Sequence, residues 1–97
     1  MNYVYATLNV LREQTLDSRR SNILRVIADE LDKQFDLKTV DAQDLLAELV
    51  PPARFEQLSK ILARVFPFLS EARAFSLVGR ANTLDNLVSH VNFEVGA

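Results

Sequence analysis

Residues 46–66, LAELVPPARFEQLSKILARVF, decide how this chain is read. Leu46, Leu49 and the neighbouring Leu45 supply one side of a short helix, with Asp41 read as its cap and Asp44 placed to suit the helix dipole. Pro51 stops that helix, because the residue before a proline resists the α conformation. Pro52 can open the next one, since its missing N–H lies where no intrahelical partner exists. From there Phe55, Leu58, Ile61, Leu62, Val65 and Phe66 recur at helical spacing, with Glu56, Lys60 and Arg64 on the opposite face. Pro67 ends the run. An amphipathic helix over Ala53 to Phe66 is therefore expected at the centre of the chain.

Working outward, the upstream segment reads as a longer amphipathic helix over Ser21 to Phe35. Asp17 or Ser18 is placed to cap it, and Ile23, Leu24, Ile27, Leu31 and Phe35 fall within about 120° of arc. Asp29, Glu30, Asp32 and Asp36 read as a solvated acidic face of that helix. Downstream, Ser70 caps a short SEARAF turn, and Gly79 loosens the chain. Thr83 then caps a final helix, TLDNLVSHV, with Leu84, Leu87, Val88 and Val91 inward. The tail NFEVGA is expected to fray. The opening YVYATLNV alternates like a strand, yet Val4, Leu8 and Leu11 also keep helical spacing, and a lone strand would have no partner, so a helix is favoured.

These pieces predict an all-α fold, a small helical bundle of four to five helices. Its single domain spans residues 1–97, with an N-terminal helical arm over 1–16 and a bundle core over 17–92. The 97 residues, 48% hydrophobic and 25% charged with two glycines, suffice for one core and argue against disorder. The stripes imply burial of Ile27, Leu31, Leu58, Ile61, Leu62, Leu87 and Val91. Tyr3, Val4, Leu8 and Leu11 of the arm would pack on their own chain or pair with a second copy as a homodimer.

Composition narrows the chemistry. The absence of cysteine excludes thiolate catalysis, disulfides and cysteine-ligated metal sites. No stretch approaches the ~18 apolar residues of a membrane span, and the start carries no signal-peptide pattern, so a cytoplasmic protein without a membrane partner is expected. The acidic carboxylates lack the spacing and the glycine of a calcium loop. Asp85, Ser89 and His90 do not form a hydrolase triad, because adjacent helical residues point about 100° apart. The net charge of −2 argues against a nucleic-acid partner. Charge is nevertheless unevenly spread: residues 29–48 are predominantly acidic, whereas Arg54, Lys60, Arg64, Arg73 and Arg80 dominate residues 54–80.

The order of parts resembles the acyl carrier protein family. VIADELDKQF (26–35) is similar to that family's first helix, and DLLAELV (44–50) to its acidic-leucine lead-in. RFEQLSKILARVF (54–66), SEARAF (70–75) and ANTLDNLVSHV (81–91) are similar to its second, third and closing helices. The likeness covers roughly residues 21–91. Family members carry an Asp-Ser-Leu triplet at the start of the second helix, whose serine holds phosphopantetheine; here the matching residues are Ala53-Arg54-Phe55, and no hydroxyl stands there. Ser59 lies too far inside the helix, and Ser76 has only the Ser-Leu step, so it is a weak candidate for attachment.

The resemblance thus implies a degenerate member that is not an enzyme and holds no cofactor, catalytic residue or metal. It would act as an adaptor that presents a helix to another protein. Arg54, Lys60 and Arg64 are the expected partner-binding residues, and an acidic protein surface is the expected partner, since a guanidinium fork holds carboxylates bidentately. Two other readings stay open: a genuine acyl or peptidyl carrier using an atypical serine, and a small nucleic-acid-associated regulator.

Overall fold

The computed structural model describes residues 7–96, and within them the chain forms six α-helices and no strand. They are α1 (Leu8–Glu13), α2 (Leu16–Phe35), α3 (Leu46–Leu49), α4 (Phe55–Val65), α5 (Glu71–Arg80) and α6 (Leu84–Gly96). A single 3-10 turn over Pro52–Arg54 leads into α4. The all-α prediction holds, with one helix more than the expected four to five. Tyr3 and Val4 of the predicted arm lie outside the described residues.

Helix α2 begins five residues before the expected Ser21. Its cap is Thr15, whose hydroxyl accepts from the Ser18 N–H at 3.3 Å, so Asp17 and Ser18 belong to the first turn instead. Its last residue is followed by Asp36 in the left-handed conformation, φ 55°, whose N–H donates back to the Asp32 carbonyl. Aspartate tolerates that conformation better than most residues with a Cβ. Lys38 bridges the Asp32 and Asp36 carboxylates at 3.1 and 3.2 Å, and those two acceptors raise its pKa.

The helix expected after Asp41 starts only at Leu46, and residues 41–45 form a turn and an isolated bridge instead. Asp41 does not cap a helix; its carboxylate accepts from Gln43 N–H and its own N–H donates to the Asp44 carboxylate, both at 2.8 Å, which folds a local turn. The backbone then pairs with the start of α6: Leu46 N–H donates to Asn82, Leu84 N–H to Asp44 and Asp85 N–H to Ala42. These bonds outcompete a longer α3 because they satisfy the same groups across the chain. Leu45, expected inward, is 41% exposed, since it occupies the isolated bridge to Thr83 instead of a helix face.

Two further boundaries differ. SEARAF opens a helix of ten residues, capped as expected by Ser70, and Gly79 lies inside that helix. Helix α6 continues to Gly96 with Val95 fully buried, so residues 92–96 are helical rather than frayed, although Phe93 is 68% exposed. At the other end of α6 the expected Thr83 cap is present and reciprocal. Asn86 N–H donates to the Thr83 hydroxyl at 3.1 Å, and Thr83 N–H donates to the Asn86 side chain at 3.2 Å.

One apolar core draws on all six helices, from Leu11 of α1 to Val95 of α6. Every residue named for burial from the stripes is buried, with Ile61 the most exposed at 7%. Helices α2 and α6 pack together along a polar seam in which Arg20 donates to Ser89 and Asp85, both at 2.8 Å. Helix α4 packs chiefly on α5, and α1 on α6, where Arg12 donates to the Val95 carbonyl at 3.0 Å. Leu11 is thus covered by its own chain.

Candidate functional site

The three cations expected to meet a partner have different neighbours within the chain. Arg54 ends the 3-10 turn and lays its guanidinium over the Phe35 ring, 4.6 Å from the centroid, while donating twice to Gln57. Arg64 donates to Glu30. Both arginines therefore fasten α4 across the second half of α2. All three cations are exposed, and Lys60 has the loosest contact of them, 3.9 Å from Glu56, the outer limit of an ion pair.

Glu30 overturns its place on the solvated acidic face, for it is 3% exposed. The signal was present in the spacing: Glu30 follows Ile23 by seven residues, which puts it within about 20° of Ile23 on the inner face of α2. A carboxylate there must be paired, and Arg64 reaches over from α4 to do so while Lys33 approaches to 3.8 Å. Asp29, Asp32 and Asp36 keep solvent contact.

Beside Lys60, helices α4 and α5 enclose an open groove of about 400 Å³ lined by Glu56, Ser59, Lys60, Glu71, Ala72 and Phe75. Its floor is Ser59, 2% exposed, whose hydroxyl donates back to the Phe55 carbonyl at 2.7 Å. Phe75 forms the wall and is 52% exposed. Sequence reasoning missed this residue because SEARAF read as a turn, which gives its side chains no fixed face. A shallower depression of about 330 Å³ adjoins at the start of α4, bordered by Ala53, Arg54, Glu56, Gln57 and Lys60.

The serines considered for attachment have other surroundings. Ser59 is buried, and Ser76 sits half-buried within α5, where its carbonyl accepts from Arg80 at 3.4 Å. Asp85 and Ser89 are both engaged by Arg20, which turns that pair into a helix-to-helix clasp. Among the described residues, no group of three or more histidine or carboxylate side chains could hold a metal ion, and no helix is long and apolar enough to cross a membrane. On the far side of α5, Arg73 and Glu94 form a two-pronged ion pair at 2.9 and 2.7 Å. The Arg73 hydrogen bond, outweighing partial burial, holds the Glu94 carboxyl below its ordinary pKa.

No protein-family model matches the chain, and no curated protein or solved structure matches it.

Proposed function

We propose that this chain is a non-enzymatic protein-docking module, with an acyl-carrier-like order of helices that lacks the pantetheine serine, and that it binds through the α4–α5 face. The observation that carries the reading is Phe75, a large aromatic left half in water on the wall of an open groove. A partner that covers the ring removes that apolar surface from water, and aromatic anchors in such pockets dominate interface energies. Lys60 on the rim, with Arg54 at the adjoining depression, calls for carboxylates on whatever binds. The start of α4 bears on the carrier resemblance from the other side: Ala53 and Arg54 are exposed there, and neither offers a hydroxyl to esterify.

The test is capture of partners from the native host by the wild type, Phe75→Ser and Lys60→Glu, each at two salt concentrations and each with a melting curve. All three should melt alike. Phe75→Ser should lose a partner at both salts, and Lys60→Glu should weaken it mainly at low salt. Retention of every partner by both well-folded variants would reject this face as the docking site. Arg64 is left out because Arg64→Glu would set a second carboxylate against buried Glu30 and confuse unfolding with lost binding.

A further inference from the structure

We infer that α1 is a strap that leaves the bundle by itself, swinging at Gln14 and Thr15 while α2 and α6 stay folded. It packs on α6, and its release is independent of the docking reading. Six residues are too few for a helix to hold itself in water, because nucleation costs more than so short a ladder returns. Helix α1 is therefore helical only while it is docked. Its docking is narrow: Leu11 is its one fully buried residue, Leu8 and Val10 are half-buried, and Asn9, Arg12 and Glu13 are exposed. Arg12 adds the hydrogen bond to the Val95 carbonyl.

The junction with α2 allows this release. Gln14 and Thr15 are both extended, with ψ of 154° and 161°, so the helical ladder is interrupted between α1 and α2. Helix α2 starts without help from α1: the Thr15 hydroxyl accepts from Ser18 N–H, the Thr15 carbonyl accepts from Arg19 N–H at 2.9 Å, and Leu16 is 57% exposed. Docking also carries a polar cost at this point. Among the described residues the buried Gln14 Oε1 and Arg19 Nε have no hydrogen-bond partner, and Arg19 reaches the Gln14 carbonyl only at 3.5 Å. Opening returns the Gln14 amide to water, which offsets part of the lost Leu11 burial. Helices α2 and α6 each bury five residues, so they part only when the bundle unfolds. Release of the strap uncovers the socket that Leu11 fills and the Val95 carbonyl that Arg12 holds.

Native-state hydrogen exchange of the full chain, followed by NMR in urea concentrations too low to unfold it, tests the strap. The N–H groups of Leu11, Arg12 and Glu13 should be protected, but at least about a hundredfold less than those of Leu31 and Leu87. Their exchange should respond weakly to urea, because little surface is exposed when α1 opens. Arg12→Ala should lower α1 protection about fivefold and Leu11→Ala should abolish it, with α2 and α6 still protected in both variants. A wild type in which α1 exchanges in step with α2 and α6 at every urea concentration overturns the strap. So does a Leu11→Ala chain in which the protection of α2 and α6 collapses together with that of α1. A wild type whose α1 has no protection also overturns it, because nothing is then docked to release.

Discussion

Leu62 and Gly79 mark the two extremes of what one residue does in this bundle. Leu62 is fully buried on the inner face of α4. Leu62→Ala should cost about 2–5 kcal/mol, the usual penalty for an emptied leucine site, and a denaturant titration reads it. A loss below about 1 kcal/mol would mean that the site collapses or is not core. Gly79 sits in α5 with no positive φ, and a Cβ there would meet nothing within 4 Å. Its freedom is therefore unused in the folded state and only adds entropy to the unfolded one. Gly79→Ala should raise stability by roughly 0.4–1 kcal/mol, visible as a higher melting temperature, unless the end of α5 has to bend.

At the scale of elements, two ion pairs join helices with different consequences. Arg64 of α4 meets a buried carboxylate on α2, so its removal takes the shortest ion pair from Glu30 and keeps Lys33 at 3.8 Å. Arg64→Ala should destabilise by about 1–3 kcal/mol, whereas Glu30→Leu combined with Arg64→Met should recover most of that loss, since no carboxylate is then buried at this position. A double variant as unstable as the single one would show that the carboxylate itself is required.

Arg73 of α5 and Glu94 of α6 form a pair nearer the surface, and its signature is in pH. Because the folded pKa of Glu94 lies below its unfolded value, the pair stabilises above the unfolded carboxylate pKa and loses that contribution as pH falls through the folded one. In Arg73→Ala the Glu94 pKa, followed by NMR, should rise. The stability curves of variant and wild type should draw together in acid, below both values. Parallel curves down to the acid limit would mean that the pair is not linked to folding.

For the whole molecule, closure depends on the two ends meeting. Val95 is fully buried and its carbonyl takes a hydrogen bond from Arg12 of α1, so the last turn of α6 is part of the core. Truncation after Asn92 should cost at least about 2 kcal/mol, from the lost valine burial and the loosened α1. A truncated chain that melts with the wild type would restore the expectation of a frayed tail. The docking face lies elsewhere, on α4 and α5, so this truncation should leave partner capture unchanged wherever the shortened chain is folded.

The chain's own periodicity determined the helices that bury their stripes. Ile27, Leu31, Leu58, Ile61, Leu62, Leu87 and Val91 are inward because apolar residues at helical spacing have one face to hide, whatever their neighbours. Ser70 and Thr83 were legible for a similar local reason, since a capping hydroxyl bonds within three residues of itself. Glu30 stood between the two kinds of information: its place on the inner face of α2 is in the spacing, but its tolerance there depends on Arg64, thirty-four residues away. Only the tertiary structure decided that residues 42–45, expected to open a short helix, would pair with the start of α6, and that Val95 would carry the last turn inward. It also placed Arg54 over Phe35 and Arg64 on Glu30, and left Phe75 52% exposed. Each of these outcomes turns on which distant group satisfies a hydrogen bond, a charge or an apolar surface, and a local pattern does not contain that partner.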